Sequence, residues 1–396
     1  MSDNQFQVIK SLYSNSLNSN VVNTDLANAY NIDAIEATIK NLMVDGINLS
    51  IGNSISIGGQ HVLSTPVNGS SVALGNTVPV NQGVGTIAIG QNAGKNSQGI
   101  MSISIGSTSG QTSQGINSVA IGTSSGQTSQ GQNSVSIGSN TGQTSQGIGS
   151  IAIGSNTGQT SQGTNSIAIG SNTGQTIQGQ DSIAMGYNAG QTIQGQNSIA
   201  IGYSAGQTTQ SQYCISMGYQ AGQTNQGSVS IAIGADAGQT NQSNSCIALG
   251  TNAGNLNQGQ GSIAVGFQAG QTNMNGNNIA IGNSAGFTDL GGFSVAIGYH
   301  ACFNGAGSNN VVIGPNACIT DVIGTDNICI GNLSSISTGV NNSIVIGSGA
   351  TSTSNGELVL ASAAHPLNTD VAAGAITLYL PVIVNGQTYK LPLYAP

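Results

Sequence analysis

Between residues 90 and 314, glycine returns every 16 residues without an insertion or deletion, from Gly90, Gly106, Gly122 and Gly138 through to Gly282, Gly298 and Gly314. Each of these glycines closes a short run of the Ile-Ala-Ile kind. Sixteen residues cannot enclose a core of their own. A repeat this short buries its apolar side only by stacking on its neighbours, so the period predicts a solenoid. The consensus N-S-I-A-I-G-x-x-A/T-G-Q-T-x-Q-G-x opens with strand alternation. In Ser166-Ile167-Ala168-Ile169-Gly170 the two Ile face one way, and Ser, Ala and Gly face the other. This reading puts the Ile pair inside a narrow roll and leaves the Ala column as a flat outer face. Two turn glycines per coil, such as Gly170 and Gly174, let the chain reverse twice. Two strands and two turns fit a two-sided parallel β-roll better than a three-sided helix. Looser coils at Gly58, Gly75, Gly331 and Gly347 extend the count to nineteen, roughly 90 Å at the spacing of stacked strands. Aligned columns predict amide ladders, one through Gln111, Gln127 and Gln143 and one through Gln114, Gln130 and Gln146.

Composition removes several function classes. Charged residues make up 4% of the chain, against roughly 25% in ordinary soluble domains. The only cations outside histidine are Lys10, Lys40, Lys95 and Lys390, so the repeats cannot neutralise a nucleic-acid backbone. No basic-then-apolar leader opens the sequence, and no run approaches the ~18 apolar residues of a membrane span. The expectation is synthesis in a cytoplasm and display on a virion surface or outside the cell as part of an assembly. Cys214, Cys246, Cys302, Cys318 and Cys329 show no CxxC spacing, and His61, His300 and His365 lie in different regions without a Cys or carboxylate at ligand spacing. No G-x-S-x-G elbow can be completed. Asp181, Asp236, Asp289, Asp321 and Asp326 do not form the Asp column of a calcium β-roll. The chain is expected to be no enzyme and to need no cofactor or metal.

Three regions follow. Residues 1–50 carry the only helical pattern, with Ile32, Ile35, Ile39, Leu42 and Met43 at helical spacing between an Asn31 cap and Gly46. It reads either as a packing helix at the base of the solenoid or as a docking segment that anchors the fibre to a virion or assembly. Residues 51–349 are the solenoid. In residues 350–396, ITLYLPVIVNGQTYKLPLYAP reads as a β-hairpin about Asn385-Gly386, a cap or a tip, with Pro381 and Pro392 at edge positions.

The repeat resembles the head of YadA-like trimeric autotransporter adhesins, whose motif is close to N-S-V-A-I-G-x-x-S. It is matched by Asn117-Ser118-Val119-Ala120-Ile121-Gly122, Asn165-Ser166-Ile167-Ala168-Ile169-Gly170 and Asn197-Ser198-Ile199-Ala200-Ile201-Gly202. The resemblance implies a left-handed parallel β-roll, three copies side by side, and adhesion. Two departures stand out: coils of 16 rather than about 14 residues, and no stalk or membrane anchor of that family. The closing Tyr379–Tyr394 segment resembles the terminal hairpin of fibre proteins of phages and large DNA viruses.

Two local features stand out. Tyr187, Tyr203 and Tyr219, then Phe267 and Tyr299, occupy one column where earlier coils have Ser107, Thr123, Ser139, Ser155 and Ser171. This stripe suits recognition of a host glycan or protein, or burial between protomers. Cys302 and Cys318 hold one slot of consecutive coils, within reach of a disulfide or packed as two free thiols. The expected function is a rigid homotrimeric fibre on a virion, attaching to a host surface. A self-assembling filament or matrix subunit is the alternative. An ice-binding solenoid is the third reading, on the Thr112, Thr128, Thr144, Thr160 and Thr176 column.

Overall fold

The computed structural model describes residues 54–57, 60–64, 71–75, 80–320, 322–360, 378–384 and 387–393. The helical pattern of residues 31–46 and the Asn385-Gly386 turn lie outside the described residues. What is described is an all-β parallel solenoid. In the regular coils the Ile-Ala-Ile strand joins one sheet and the Thr-x-Gln strand joins a second, as a two-sided roll requires.

The first sheet has 21 strands. Its first two, Ser54–Ile57 and Gln60–Ser64, pair antiparallel, and the second lies antiparallel on Val72–Leu74 through Ser64 and Ala73. The other nineteen, from Val72–Leu74 to Leu358–Leu360, are parallel and pair like with like, as where Ile167 meets Ile183 and Ala168 meets Ala184. Their eighteen steps rise roughly 85 Å. The parallel stack therefore starts after Gly58, because the strands on either side of it, Ser54–Ile57 and Gln60–Ser64, pair antiparallel with Ile57 opposite Gln60. It also runs one coil past Gly347, since Leu358–Leu360 pairs with Ile344–Ile346. The second sheet has twelve strands, Asn96–Gln98 to Thr272–Met274. Beyond it the same side is held by the single bridges Thr272–Thr288, Leu290–Ala306 and Ala306–Ile323, then by Ser335–Ile336 against Thr351–Ser352.

The alternation is as expected, but its two sides are exchanged. Ala120, Ala152, Ala168, Ala184 and Ala200 are 0% exposed, while the Ile, Val and Met beside them reach solvent. Width is the reason. A Cβ built on Gly190, in the facing turn, would lie 3.3 Å from the Ala184 Cβ. Two backbones that close leave room for Ala and Ser on one side and one extended Gln from the other, and none for two Ile. Each buried Gln crosses the roll to donate to a carbonyl of the opposite strand: Gln114 to Ile103, Gln178 to Ile167 and Gln194 to Ile183, all at 2.8 Å. Those bonds give each buried glutamine amide nitrogen an acceptor inside the roll.

One of the two amide ladders forms as expected. Gln127 donates to Gln111 at 3.3 Å, Gln143 to Gln127 at 3.1 Å, and the column continues to Gln223 on Gln207 at 3.0 Å. The Gln114 column points inward instead and is spent mainly on the cross-core bonds. Within it, Gln210, Gln226 and Gln242 also donate to the next Gln, at 3.0 to 3.1 Å. Further along, Met274, Leu290, Ala306 and Ile323 take the glutamine's place, and the interior becomes one apolar cluster from Ala221 to Ala350.

The turns explain the glycine and the asparagine. Gly186 sits at φ +129°, and a Cβ there would be 2.5 Å from the Gly202 carbonyl oxygen of the next coil. Asn140, Asn156, Asn172 and Asn188 sit in the left-handed region at φ +53° to +55°, which Asn tolerates better than most residues. Near the C-terminus, Leu378–Val384 and Gln387–Leu393 form a two-stranded antiparallel sheet of their own. Val384 pairs with Gln387, and Pro381 with Lys390.

Candidate interaction surface

Turning alanine inward turns the large aliphatics outward. In the nineteen parallel strands the two outward positions are Val, Ile, Leu or Met at all 38 places, from Val72 and Leu74 to Leu358 and Leu360. Met185 is 38% exposed, Met217 39% and Leu249 43%. A sheet with one solvated face normally carries polar residues there. Here the polar groups, Ser and Gln, are inside, and the apolar pairs face out in an unbroken two-wide column. That column offers on the order of 2,000 Å² of apolar surface, several times the largest patch of a typical monomer. The opposite face is mostly polar: Thr112, Thr128, Thr144, Thr160 and Thr176 stand on it beside Ser113, Ser129, Ser145 and Ser161, and the exposed Ile177 and Ile193 interrupt it.

Tyr187, Tyr203 and Tyr219 are exposed by 46%, 47% and 51%. Their rings stack along the column, each pair of centroids 5.3 Å apart. Tyr203 thus has a ring on either side, and the row presents edges and hydroxyls instead of open faces. That geometry suits hydrogen bonding or a flat protein surface more than a sugar ring laid on an aromatic face. Phe267 and Tyr299 are exposed in the same column but are separated from the triplet and from each other by Ala235, Thr251 and Asn283.

Tyr299 belongs to a different group. It stacks on His300 at 3.9 Å, His300 lies 5.0 Å from Phe303, and Phe303 stacks on Phe287 at 4.7 Å. This cluster was not anticipated from sequence, although a signal was present: Phe267, Phe287, Phe293 and Phe303 are four of the chain's five phenylalanines.

All five cysteines are free and buried. Cys214 and Cys246 stand where neighbouring coils have Ser, and they donate to the carbonyls of Gly227 at 2.9 Å and Gly259 at 3.0 Å. Ser198 donates to Ser211 in the same way at 2.8 Å. Burial raises both thiols, and it pushes Cys302 up to about 12. Cys302 and Cys318 share a column, one coil apart. The sulfur that Cys318 contacts is that of Cys329, in the strand Ile328–Ile330: Cys318 Sγ donates to Cys329 Sγ at 3.0 Å, and Cys329 donates to Ser334 Oγ at 3.1 Å. The hydrogen bond to Cys329, with burial, holds the Cys318 thiol protonated.

Among the described residues no three of His, Cys, Asp and Glu converge, and no helix is long and apolar enough to cross a membrane. A shallow open depression of about 300 Å³ runs along Thr209, Ser211, Asn225 and Asn241 and has no charged residue in its lining. No protein-family model and no curated protein matches this chain.

Proposed function

We propose that this chain is the rigid shaft of a non-catalytic fibre, built from three copies packed in parallel along their aliphatic faces. One observation carries the reading, namely the 38 outward positions that are aliphatic without exception. A partner that covers such a column along its whole height must repeat at the same rise per coil. A second copy in parallel register does so automatically. Three copies, with display on a virion and attachment to a host surface, are supported by the adhesin-like N-S-I-A-I-G motif and by the fibre-like terminal hairpin. Growth end to end is the less favoured assembly. The first parallel strand, Val72–Leu74, is covered by the antiparallel pair Ser54–Ile57 and Gln60–Ser64, which blunts that edge.

Light scattering of the purified chain, beside the variant carrying Ile169→Lys, Ile201→Lys and Ile233→Lys, tests this. The native chain is expected as three copies, and the variant as a monomer with unchanged β-sheet circular dichroism. An unfolded variant would mean that these residues face the interior. A trimeric variant would put the seam elsewhere, and a native chain that is monomeric or polymeric would overturn the proposal.

A further inference from the structure

We infer that Cys318 and Cys329 are a disulfide pair that staples the solenoid where its second sheet gives out. The argument starts from the fold's own spacing. Cys318 occupies the left-handed turn slot, φ +48°, that holds Gly286 two coils earlier, and Cys329 occupies the inward strand slot that holds Ala296 two coils earlier. A Cβ built on Gly286 lies 3.7 Å from the Cβ of Ala296. That is the separation a disulfide asks of its two Cβ atoms, about 3.8 Å. The roll therefore presents these two slots at bonding distance in every coil of this kind. Only here are both filled by cysteine: Gly286 faces Ala296, and Cys302 faces Val312. The two sulfurs already touch, at 3.0 Å.

The location gives the bond a purpose. The twelve-stranded second sheet ends at Met274, and past it no paired strands form on that side until Ser335, only single bridges and isolated backbone bonds such as Cys302 to Ala317 and Cys318 to Ser334. The pair also brackets the extra residue that stretches the step from Gly314 to Gly331 to 17. A covalent link from turn to strand would add to the backbone bond by which the Cys318 amide already donates to Ser334 of the next coil, at 2.8 Å.

The chemistry is thiol–disulfide exchange with a small disulfide such as oxidised glutathione. One cysteine thiolate attacks it and releases one glutathione thiolate. The second cysteine thiolate then displaces the other glutathione, so the protein loses two protons and two electrons and two molecules of reduced glutathione are formed. Both cysteines are 0% exposed in the folded roll, so the bond closes as the C-terminal coils fold.

The test is to refold the full chain with oxidised and reduced glutathione, denature it, alkylate it and weigh it. Of five cysteines, three are expected to be alkylated, with the unalkylated oxidised protein about 2 Da lighter than the reduced one. Peptic mapping should find Cys318 joined to Cys329; trypsin is no use, as no Lys or Arg lies between Lys95 and Lys390. Cys302→Ser should keep the bond and Cys329→Ser should lose it, leaving four thiols. Five alkylated cysteines in the native chain, or a bond mapped from Cys302 to Cys318, would overturn the assignment.

Discussion

Replacing Ala184 by Ser should stabilise the central coils, and replacing it by Val should damage them. Ala184 is 0% exposed, and the Oε1 of Gln194, which faces it, is buried with no hydrogen-bond partner. Two coils show what a hydroxyl does in this slot: Ser104 donates to Gln114 Oε1 at 2.6 Å and Ser216 to Gln226 Oε1 at 2.7 Å, each pair ten residues apart like Ala184 and Gln194. At Ser136 the hydroxyl turns to the carbonyl of Thr141, whereas coil 184 carries Ala189 there, as coil 216 carries Ala221. One new buried hydrogen bond is worth about 1 kcal/mol net. Val adds two methyl groups against the Gly190 turn and costs about 1–3 kcal/mol by overpacking. A repeat array opens locally, so a single melting temperature would dilute the effect. Hydrogen exchange read on peptides across residues 175–205 is the right assay, with exchange slowed roughly fivefold by Ser and accelerated by Val. If Val were tolerated and Ser changed nothing, the alanine column would not be the interior, and the inside-out reading of the roll would fail.

Gly202→Ala should cost about 3 kcal/mol or more, because the residue sits at φ +130° and its new Cβ would meet the Gly218 oxygen at 2.3 Å. Gly339→Ala, at φ +77° with nothing within 4 Å, should cost only about 1 kcal/mol of backbone strain; circular dichroism melts of the two compare clash with conformation. Glu357 accepts from Ser352 Oγ at 2.8 Å and from the Thr353 amide at 2.9 Å, and the Ser352 bond above all holds it below its ordinary 4.5. A depressed carboxylate stabilises above its unfolded value and ceases to as pH falls through its folded value. The last coil should therefore loosen in acid below 4.5, seen as lost NMR dispersion for Thr351–Leu360, and Glu357→Gln should remove that pH dependence.

The period, the parallel stacking and the two sheets were legible in the sequence because they follow from the repeat spacing, and the terminal hairpin from the strand pattern around Asn385-Gly386. The inward side was not. Alternation says that Ile167 and Ile169 share a face opposite to Ala168, and large aliphatics go inside by default. That default assumes a core wide enough for them. The better clue was the size limit within the repeat: from Ala73 to Ala296 the middle residue is Ala or Ser, while its neighbours are always large. A slot that admits only small side chains is the crowded one. The contact between Cys318 and Cys329 was not legible for the same reason. Column neighbours such as Cys302 and Cys318 can be read from the period, but Cys318 and Cys329 meet across the roll, and that contact depends on its width. The stacking of Tyr187, Tyr203 and Tyr219 follows from their shared column and the rise per coil, whereas the Tyr299–His300–Phe303–Phe287 group is built from different columns.

The unbroken register has a consequence for how such a molecule can change over time. Every regular coil hands the next the same two strand edges, so one can be duplicated or deleted in frame and the chain above and below still fits. Reach is thereby adjustable in steps of about 4.8 Å, without redesigning either end. The repeat works as a ruler whose graduations are single coils.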